Sequence, residues 1–168
     1  MASEIVNIAG YRFVDLPDRD ELREPFKTTC DEVGLLGTIL LSREGINFFL
    51  SGKQPAIDHF LIYLESDDRF KGIPVKISYS NRMSFRRMNV RLKNEIISLG
   101  LDSIRPAEST GESITPREFK TWLDEGKDIV VLDTRNDYEV RLGSFDGAID
   151  LNLSTFRAFP DAIQATEI

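Results

Sequence analysis

The chain of 168 residues has room for one domain and part of a second, and its 41% hydrophobic and 29% charged residues are typical of a soluble globular protein. No apolar run approaches the roughly 20 residues that cross a bilayer, and one cysteine and one histidine exclude a disulfide framework and the usual zinc sites. The net charge of −7 argues against a nucleic-acid partner for the chain as a whole, so the distribution of charge along the sequence becomes important.

The first eighty residues alternate between predicted strands and helices. Hydrophobic periodicity predicts a first helix with Cys30 on its apolar stripe and with a kink or a late start at Pro25, and a second helix from Pro55. The order strand-helix-strand-strand-helix-strand predicts a ferredoxin-like fold, in which two helices cover one face of an antiparallel sheet. The four predicted strands are residues 5–14, 35–41, 46–50 and 74–79.

Residues 71–93 concentrate positive charge. The segment has seven Lys and Arg residues and no Asp or Glu, which leaves −14 for the rest of the chain. Within residues 85–93 apolar and polar side chains alternate, which predicts a further strand with Met88, Val90 and Leu92 on its packed face. Two interpretations are open for the opposite face: contact with RNA phosphates, or an edge strand that its charges protect against sheet-to-sheet association. The candidate RNA-binding residues are Arg82, Arg86, Arg87, Asn89, Arg91 and Lys93.

Residues 100–114 are rich in Gly, Ser, Thr and Pro, and we interpret them as a linker. A first domain at residues 1–99 and the beginning of a second at residues 115–168 follow from this interpretation. About fifty residues are too few for a complete α/β domain, so we expect the chain to end inside an element of the second domain.

The second segment has the pattern of a parallel strand-helix-strand unit. Thr115 predicts a helix with a capping box, in which Phe119 and Trp122 should be core residues. The elements predicted after it are a strand at residues 129–132, a helix that ends at Gly143, a strand at 148–151 and a helix from Ser154.

Residues 129–149 resemble the first half of a rhodanese domain. The resemblance rests on Asp133-Thr134-Arg135, on Glu139 and on residues 143–149, with Phe145 where that signature usually has a histidine. A rhodanese domain carries its nucleophilic cysteine in its second half, whereas Cys30 lies on an apolar helix stripe and is predicted to be a buried structural thiol. Pairing between Arg135 and Glu139 is possible at this spacing. The resemblance implies structural roles for Asp133, Arg135, Glu139, Gly143 and Gly147.

A second resemblance spans nearly the whole chain and concerns the rhodanese-domain tRNA uridine hydroxylases. It implies an α+β protein: a ferredoxin-like (acylphosphatase-like) βαββαβ domain with an extra strand, followed by an incomplete α/β rhodanese-like domain. It also implies oxygen-dependent hydroxylation of the wobble uridine of tRNA at carbon 5 by a longer parent protein, with its essential cysteine downstream of this chain. The similar segments are residues 37–47, 57–64, 68–70, 85–93, 95–100, 133–139 and 154–160.

The family resemblance implies tRNA and molecular oxygen as reactants, and we expect a cytoplasmic protein with no membrane or DNA partner. A resident cofactor is not identified, because the sequence has neither a dinucleotide fingerprint nor a triad of two histidines and a carboxylate. No metal site and no catalytic residue are expected within the chain, so catalysis by the chain alone is not expected.

The turn before residue 47 has both a functional and a structural interpretation. Arg43, Glu44 and Asn47 are candidate substrate-proximal residues, or else Asn47 satisfies hairpin backbone groups while Gly45 takes a positive φ. Arg43 and Asn47 also form the basis of an alternative function, acylphosphatase-type hydrolysis. A second alternative is a non-catalytic module whose rhodanese-like part binds a protein.

Overall fold

The structure, a computed structural model, describes residues 4–97, 99–101, 104, 108 and 111–166. It divides into two compact units, the first containing the described residues up to Ile96 together with Glu108, and the second containing the described residues of 97–104 and those from Gly111 onward. Part of the predicted linker, residues 102–103, 105–107 and 109–110, lies outside the described residues. No helix of the described part is long and apolar enough to cross a membrane.

The first unit has the predicted ferredoxin-like order and one additional strand. Its five-stranded sheet has the order β4-β1-β3-β2-β5, with antiparallel neighbours except for β5, which runs parallel to β2. The first helix includes Pro25 and begins well before it, so a late start at this proline was wrong. The elements are β1 Ile5–Phe13, α1 Arg19–Glu32, β2 Leu36–Ser42, β3 Gly45–Gly52, α2 Gln54–Glu65, a 3-10 turn Asp68–Phe70, β4 Val75–Ser80 and β5 Met88–Leu92.

Both helices pack on one face of this sheet. Alternate side chains of the strands, among them Ile8, Ile39 and Phe48, point toward the helices and are almost completely buried. The ring of Phe60 from α2 meets Phe48 edge-on with centroids 5.5 Å apart, and Phe26 from α1 lies 6.3 Å from Phe60. This aromatic cluster places the intervening strand residues on the opposite face, which we call the open face.

The segment between β4 and β5 crosses the open face. The two strands occupy opposite edges of the sheet, four strand spacings or ~19 Å apart, which seven nearly extended residues (81–87) can span at ~23 Å. Ser84 donates its hydroxyl to Asn7 Oδ1 at 2.8 Å and its backbone N–H to Ser51 Oγ at 3.2 Å. Phe85 packs edge-on against Phe49 at 5.1 Å. These contacts hold the segment, which we call the crossover, above the sheet.

A two-residue turn joins β2 to β3 and requires glycine at its end. Gly45 has a φ of 147°, as predicted, and a β-carbon there would lie 2.0 Å from the carbonyl oxygen of Arg12. The neighbouring strand therefore leaves no room for a side chain at this position.

We expect Gly45→Ala to lower the free energy of unfolding of the first unit by at least ~2 kcal/mol, because the backbone of β1 must move or the turn must change its φ. Chemical unfolding followed by far-ultraviolet circular dichroism measures this change. Gly111→Ala is the control, since no heavy atom lies within 4 Å of a β-carbon at that position. Equal unfolding midpoints for the two variants would contradict the role assigned to Gly45.

The second unit contains short elements. Its strands β6 and β7 pair in parallel and α4 lies between them in sequence, as predicted, but each strand has only two residues and α4 ends before Gly143. A 3-10 turn precedes the last helix, where a continuous helix from Ser154 was predicted. The elements are α3 Pro116–Asp124, β6 Leu132–Asp133, α4 Asp137–Val140, β7 Ile149–Asp150, a 3-10 turn Phe156–Ala158 and α5 Phe159–Gln164.

Helix α3 begins as predicted and packs less tightly than predicted. The capping box of Thr115 and Glu118 is present. Phe119 and Trp122 are only half-buried, so their prediction as core residues was wrong. Phe119 meets Phe145 edge-on at 4.9 Å and lines an open cleft of about 550 Å³ instead. The physical reason is size, because a unit this small shields little of its apolar surface from water.

Candidate nucleic-acid interface

Strand β5 has the predicted alternation. Met88 and Val90 are buried on the helix side, and Leu92 packs partly against the same core. Asn89 and Arg91 alternate with them and therefore lie on the open face, opposite Thr38 and Leu40 of β2. Lys93 follows, with its backbone N–H donated to Leu41 O at 2.8 Å. Because β5 is an edge strand, its position alone fits both RNA contact and protection of the edge.

The crossover adds three arginines. Arg82 lies near β4, where its carbonyl accepts a hydrogen bond from Ser80 Oγ at 2.8 Å. Arg87 lies beside β2, where its carbonyl accepts from the backbone N–H of Gly37 at 3.1 Å. Arg86 stands next to it, and all three side chains are exposed. The crossover thereby distributes positive charge across the sheet from one edge to the other.

The candidate cations carry no compensating acids. Arg82, Arg86, Arg87, Arg91 and Lys93, which we call the cationic strip, make no ion pair with any described residue. By contrast, Arg69 is held between Asp18 and Asp67 at 2.6 Å each, which raises its pKa. A guanidinium that already donates to two carboxylates has few N–H groups free to bind a phosphate. An unpaired exposed cation can bind a phosphate and release a condensed counterion.

The two layers of the first unit differ in charge. Helix α1 has five acidic and three basic residues, and α2 has two acidic residues and no Lys or Arg. Residues 75–93 have six basic residues and no acid. The layer opposite the helices is therefore the one that would face a polyanion.

The three candidate substrate-proximal residues of the β2–β3 turn have different environments. Glu44 accepts a hydrogen bond from the backbone N–H of Ile96 at 2.7 Å and so holds the chain that follows β5. Asn47 is half-buried in β3, where it alternates with the buried Ile46 and Phe48 and lies on the open face. Its amide has no hydrogen-bond partner among the described residues, so the interpretation that Asn47 satisfies hairpin backbone groups was wrong. Arg43 is exposed at the tip of the turn.

The signature residues of the second unit form a polar network. Asp133 ends β6 and accepts hydrogen bonds from Arg135 Nη2 at 2.6 Å and from Ser144 Oγ at 2.7 Å. These two donors, Arg135 above all, hold the pKa of Asp133 well below its ordinary value. Arg135 also donates to the carbonyl of Gly143 at 2.7 Å. The network closes a loop around the end of β6.

Glu139 pairs with Asn136 and not with Arg135, the partner that its sequence spacing suggested. Its carboxylate accepts from both the backbone N–H and the side-chain amide of Asn136, each at 3.1 Å, in a capping box at the start of α4. Pairing of Arg135 with Glu139 was therefore wrong, because the guanidinium reaches Asp133 instead. Gly147 has a φ of 72° in the turn before β7. Ser144 was missed, since a serine in a glycine-rich turn carries no periodic signal.

Cys30 is a buried structural thiol, as predicted. Its side chain is inaccessible to solvent, and burial raises its pKa to about 12. A thiol in that state lacks both the thiolate and the access that nucleophilic chemistry requires. Among the described residues, no three His, Cys, Asp or Glu side chains lie close enough to hold a metal ion.

We expect the folded chain at pH 8 to react with Ellman's reagent far more slowly than the chain in urea, because both access and ionisation of Cys30 require unfolding. The time course of absorbance measures the rate. Fast reaction of the folded chain would contradict the burial of this thiol.

We expect Asp133→Asn to destabilise the second unit at neutral pH. Since the folded pKa of Asp133 is lowered, the charged group stabilises the fold above pH ~4 and this stabilisation is lost as the pH falls through the folded pKa. The difference in unfolding midpoint between the two proteins should therefore narrow from pH 5 to pH 2. Trp122, the only tryptophan, lies in α3 and reports on this unit by its fluorescence.

Asp124→Asn is the matched control for this experiment, because Asp124 pairs with Lys120 at the exposed surface. A midpoint shift in the control as large as that of Asp133→Asn would show that loss of any carboxylate has the same effect.

Comparisons with known proteins agree with the observed fold. Residues 5–96 match the family described as UPF0176 acylphosphatase like domain. The chain is 46% identical over 167 residues to "tRNA uridine(34) hydroxylase" of Cupriavidus pinatubonensis, covering 96% of this chain and 59% of that protein. It is 47% identical to the protein of the same name from Bordetella avium, covering 95% of this chain and 68% of that protein.

The chain thus spans about three fifths of the length of several curated relatives that it matches. Among solved structures, the BLUF protein BlrB in its dark state has 16% identity and a TM-score of 0.46, covering 55% of this chain and 74% of that one. The sequence identity over nearly the whole chain indicates common descent with the hydroxylases. This chain belongs to the tRNA uridine(34) hydroxylase family, and its residues 5–96 match the UPF0176 acylphosphatase like domain.

Proposed function

We propose that the chain is the tRNA-binding part of an enzyme that hydroxylates the wobble uridine of tRNA at carbon 5, with molecular oxygen as co-substrate. The names of its relatives supply hydroxylation of uridine 34 of tRNA, while carbon 5 and molecular oxygen come from the family resemblance of the sequence. The cationic strip on the open face is the observation that supports a role for this chain in binding the RNA. Its single, buried cysteine leads us to expect that the chain binds tRNA without modifying it.

The proposed division of labour follows the two units. Residues 1–99 would bind the RNA, residues 100–114 would connect, and residues 115–168 would be the first part of a rhodanese-like domain in a cytoplasmic enzyme. The parallel pair of β6 and β7, with α4 between them, supports the last assignment, as does the network of Asp133 with Arg135. The hydrogen bonds of this network favour a structural role for these residues.

The phosphate contacts come from the strip. Arg91 lies on the open face of β5, and Arg87 is exposed at the end of the crossover directly before the strand, so two guanidinium groups are available near this edge of the sheet. Each guanidinium that neutralises a phosphate releases a condensed counterion, which makes the affinity depend on salt. A surface of this kind binds RNA through its backbone and positions it, while recognition of bases requires other groups.

We expect the double variant Arg87→Ala and Arg91→Ala to weaken tRNA binding about tenfold or more at physiological salt and to reduce the slope of log K against log salt by ~1.5. Fluorescence anisotropy with labelled tRNA at a series of salt concentrations measures both quantities. Since both side chains are exposed, the variant should retain the unfolding midpoint of the parent chain.

The control for this experiment is the double variant Lys53→Ala and Arg117→Ala, which loses the same charge at exposed positions outside the strip. Its salt slope should remain that of the parent chain. An equal loss of tRNA affinity in both double variants would mean that binding depends on total charge and not on the position of the cationic strip. Absence of tRNA binding by the parent chain would contradict the proposed function and favour a module that binds a protein.

A further inference from the structure

Aromatic rings stand exposed in the middle of the open face. Tyr11 of β1 is 55% exposed and Phe49 of β3 is 46% exposed. Each has a partner that touches it edge-on, Phe13 at 5.9 Å for Tyr11 and Phe85 at 5.1 Å for Phe49. The partners limit the rotation of the rings and leave about half of each ring in contact with water. An aromatic side chain of this size gains ~1.5–3 kcal/mol from burial, so two such rings exposed on neighbouring strands of one sheet face indicate a contact surface.

The strand register places polar and charged groups beside both rings. Tyr11 pairs with Asn47, which pairs with Leu40, which pairs with Arg91, so these four residues form one row across the open face. A second row runs through the other ring, from Lys76 past Ala9 to Phe49 and on to Thr38 and Asn89. Tyr11 and Phe49 occupy diagonal positions on neighbouring strands, for which the Cα atoms are typically ~7–8 Å apart.

The open face has no acidic side chain of its own. The strand residues that alternate with the core in β1 to β5 include Lys76, Arg91 and three asparagines, and none is Asp or Glu. A protein partner that covered exposed rings on so basic a surface would have to be strongly acidic. An unpaired strand of RNA brings its own negative charge and a flat π-face on each base, and it matches both properties of this surface.

We propose that Tyr11 and Phe49 form a stacking platform for two unpaired bases of an RNA strand. Arg91, with Arg86 and Arg87, would contact the phosphates on one side, and Lys76, with Arg82, would do so on the other. Asn47 stands directly beside Tyr11, and Asn89 follows Phe49 and Thr38 in the second row, and the amide of each can donate to and accept from the edge of a base. This inference rests on the proposed function for its RNA partner, and it specifies the single-stranded loop as the part of the tRNA that the first unit binds.

The platform predicts a preference that a purely cationic surface lacks. Double-stranded RNA hides its base faces, and the cationic strip can reach only its phosphates. A single strand of the same length offers stacking in addition. The parent chain should therefore bind a single-stranded oligouridylate more tightly than an RNA duplex of equal strand length at the same salt concentration.

We expect Tyr11→Ala and Phe49→Ala each to weaken binding of a labelled octauridylate by about 5- to 100-fold with an unchanged salt slope, because stacking on one ring is lost and no charge is removed. Tyr11→Phe should retain binding, since it keeps the ring. Fluorescence anisotropy measures the affinities, and circular dichroism verifies that each variant is folded.

The matched control is Tyr79→Ala. Tyr79 is 60% exposed in the same sheet, but it pairs with Val6, whose side chain points toward the helices, so its ring lies on the other face. Its removal should leave the affinity for octauridylate unchanged. An equal loss of octauridylate affinity in Tyr79→Ala and in the platform variants would contradict the assignment of the RNA-binding site to the open face.

A direct signal of stacking is available from Phe49→Trp in a Trp122→Phe background, which leaves one tryptophan, on the platform. Octauridylate should quench its fluorescence in a saturable manner. If the chain binds tRNA through the cationic strip while the alanine variants bind octauridylate as well as the parent chain does, the platform is wrong and the proposed function stands. If the parent chain binds neither tRNA nor octauridylate, both fail.

Discussion

Because β4 and β5 lie at opposite edges of the sheet, the seven residues between them must cross three strands, and the candidate RNA surface follows from this crossing. The crossover takes the only side that α1 and α2 leave uncovered. It buries Asn7 and Ser51 beneath Ser84 and leaves the middle of the face exposed. Its arginines thereby join the cations of β5 around two aromatic rings. If the helices covered both faces, the same sequence would have no place for this surface.

Electrostatics reinforce the division into two layers. The acids of the first unit are concentrated on the helices, and its unpaired cations are concentrated on the strands and the crossover. A polyanion that approaches such a unit is attracted to one side and repelled from the other, so the field orients it before any contact forms. The net charge of −7 hides this polarity, which explains how an acidic chain can present a basic surface.

The second unit depends on a different kind of interaction. Only Asp133 and Leu153 are buried among its described residues, so apolar burial contributes little there. The carboxylate of Asp133 instead joins Arg135 and Ser144, and Arg135 extends the network to the carbonyl of Gly143. The order of this loop therefore depends on charged hydrogen bonds that weaken in acid, whereas the first unit depends on its aromatic core.

The sequence by itself determined the order of the elements, the helix-facing side of β5 and the burial of Cys30, because side-chain periodicity and local turn chemistry encode these properties over a few residues. Tertiary structure decided the strand order, and with it the path of the crossover and the grouping of Tyr11 and Phe49 with the cations. It also decided that Glu44 holds the backbone of Ile96 and that Ser144 completes the network of Asp133. These contacts join residues far apart in the chain or within an irregular turn, and no periodic pattern reports which distant groups will meet.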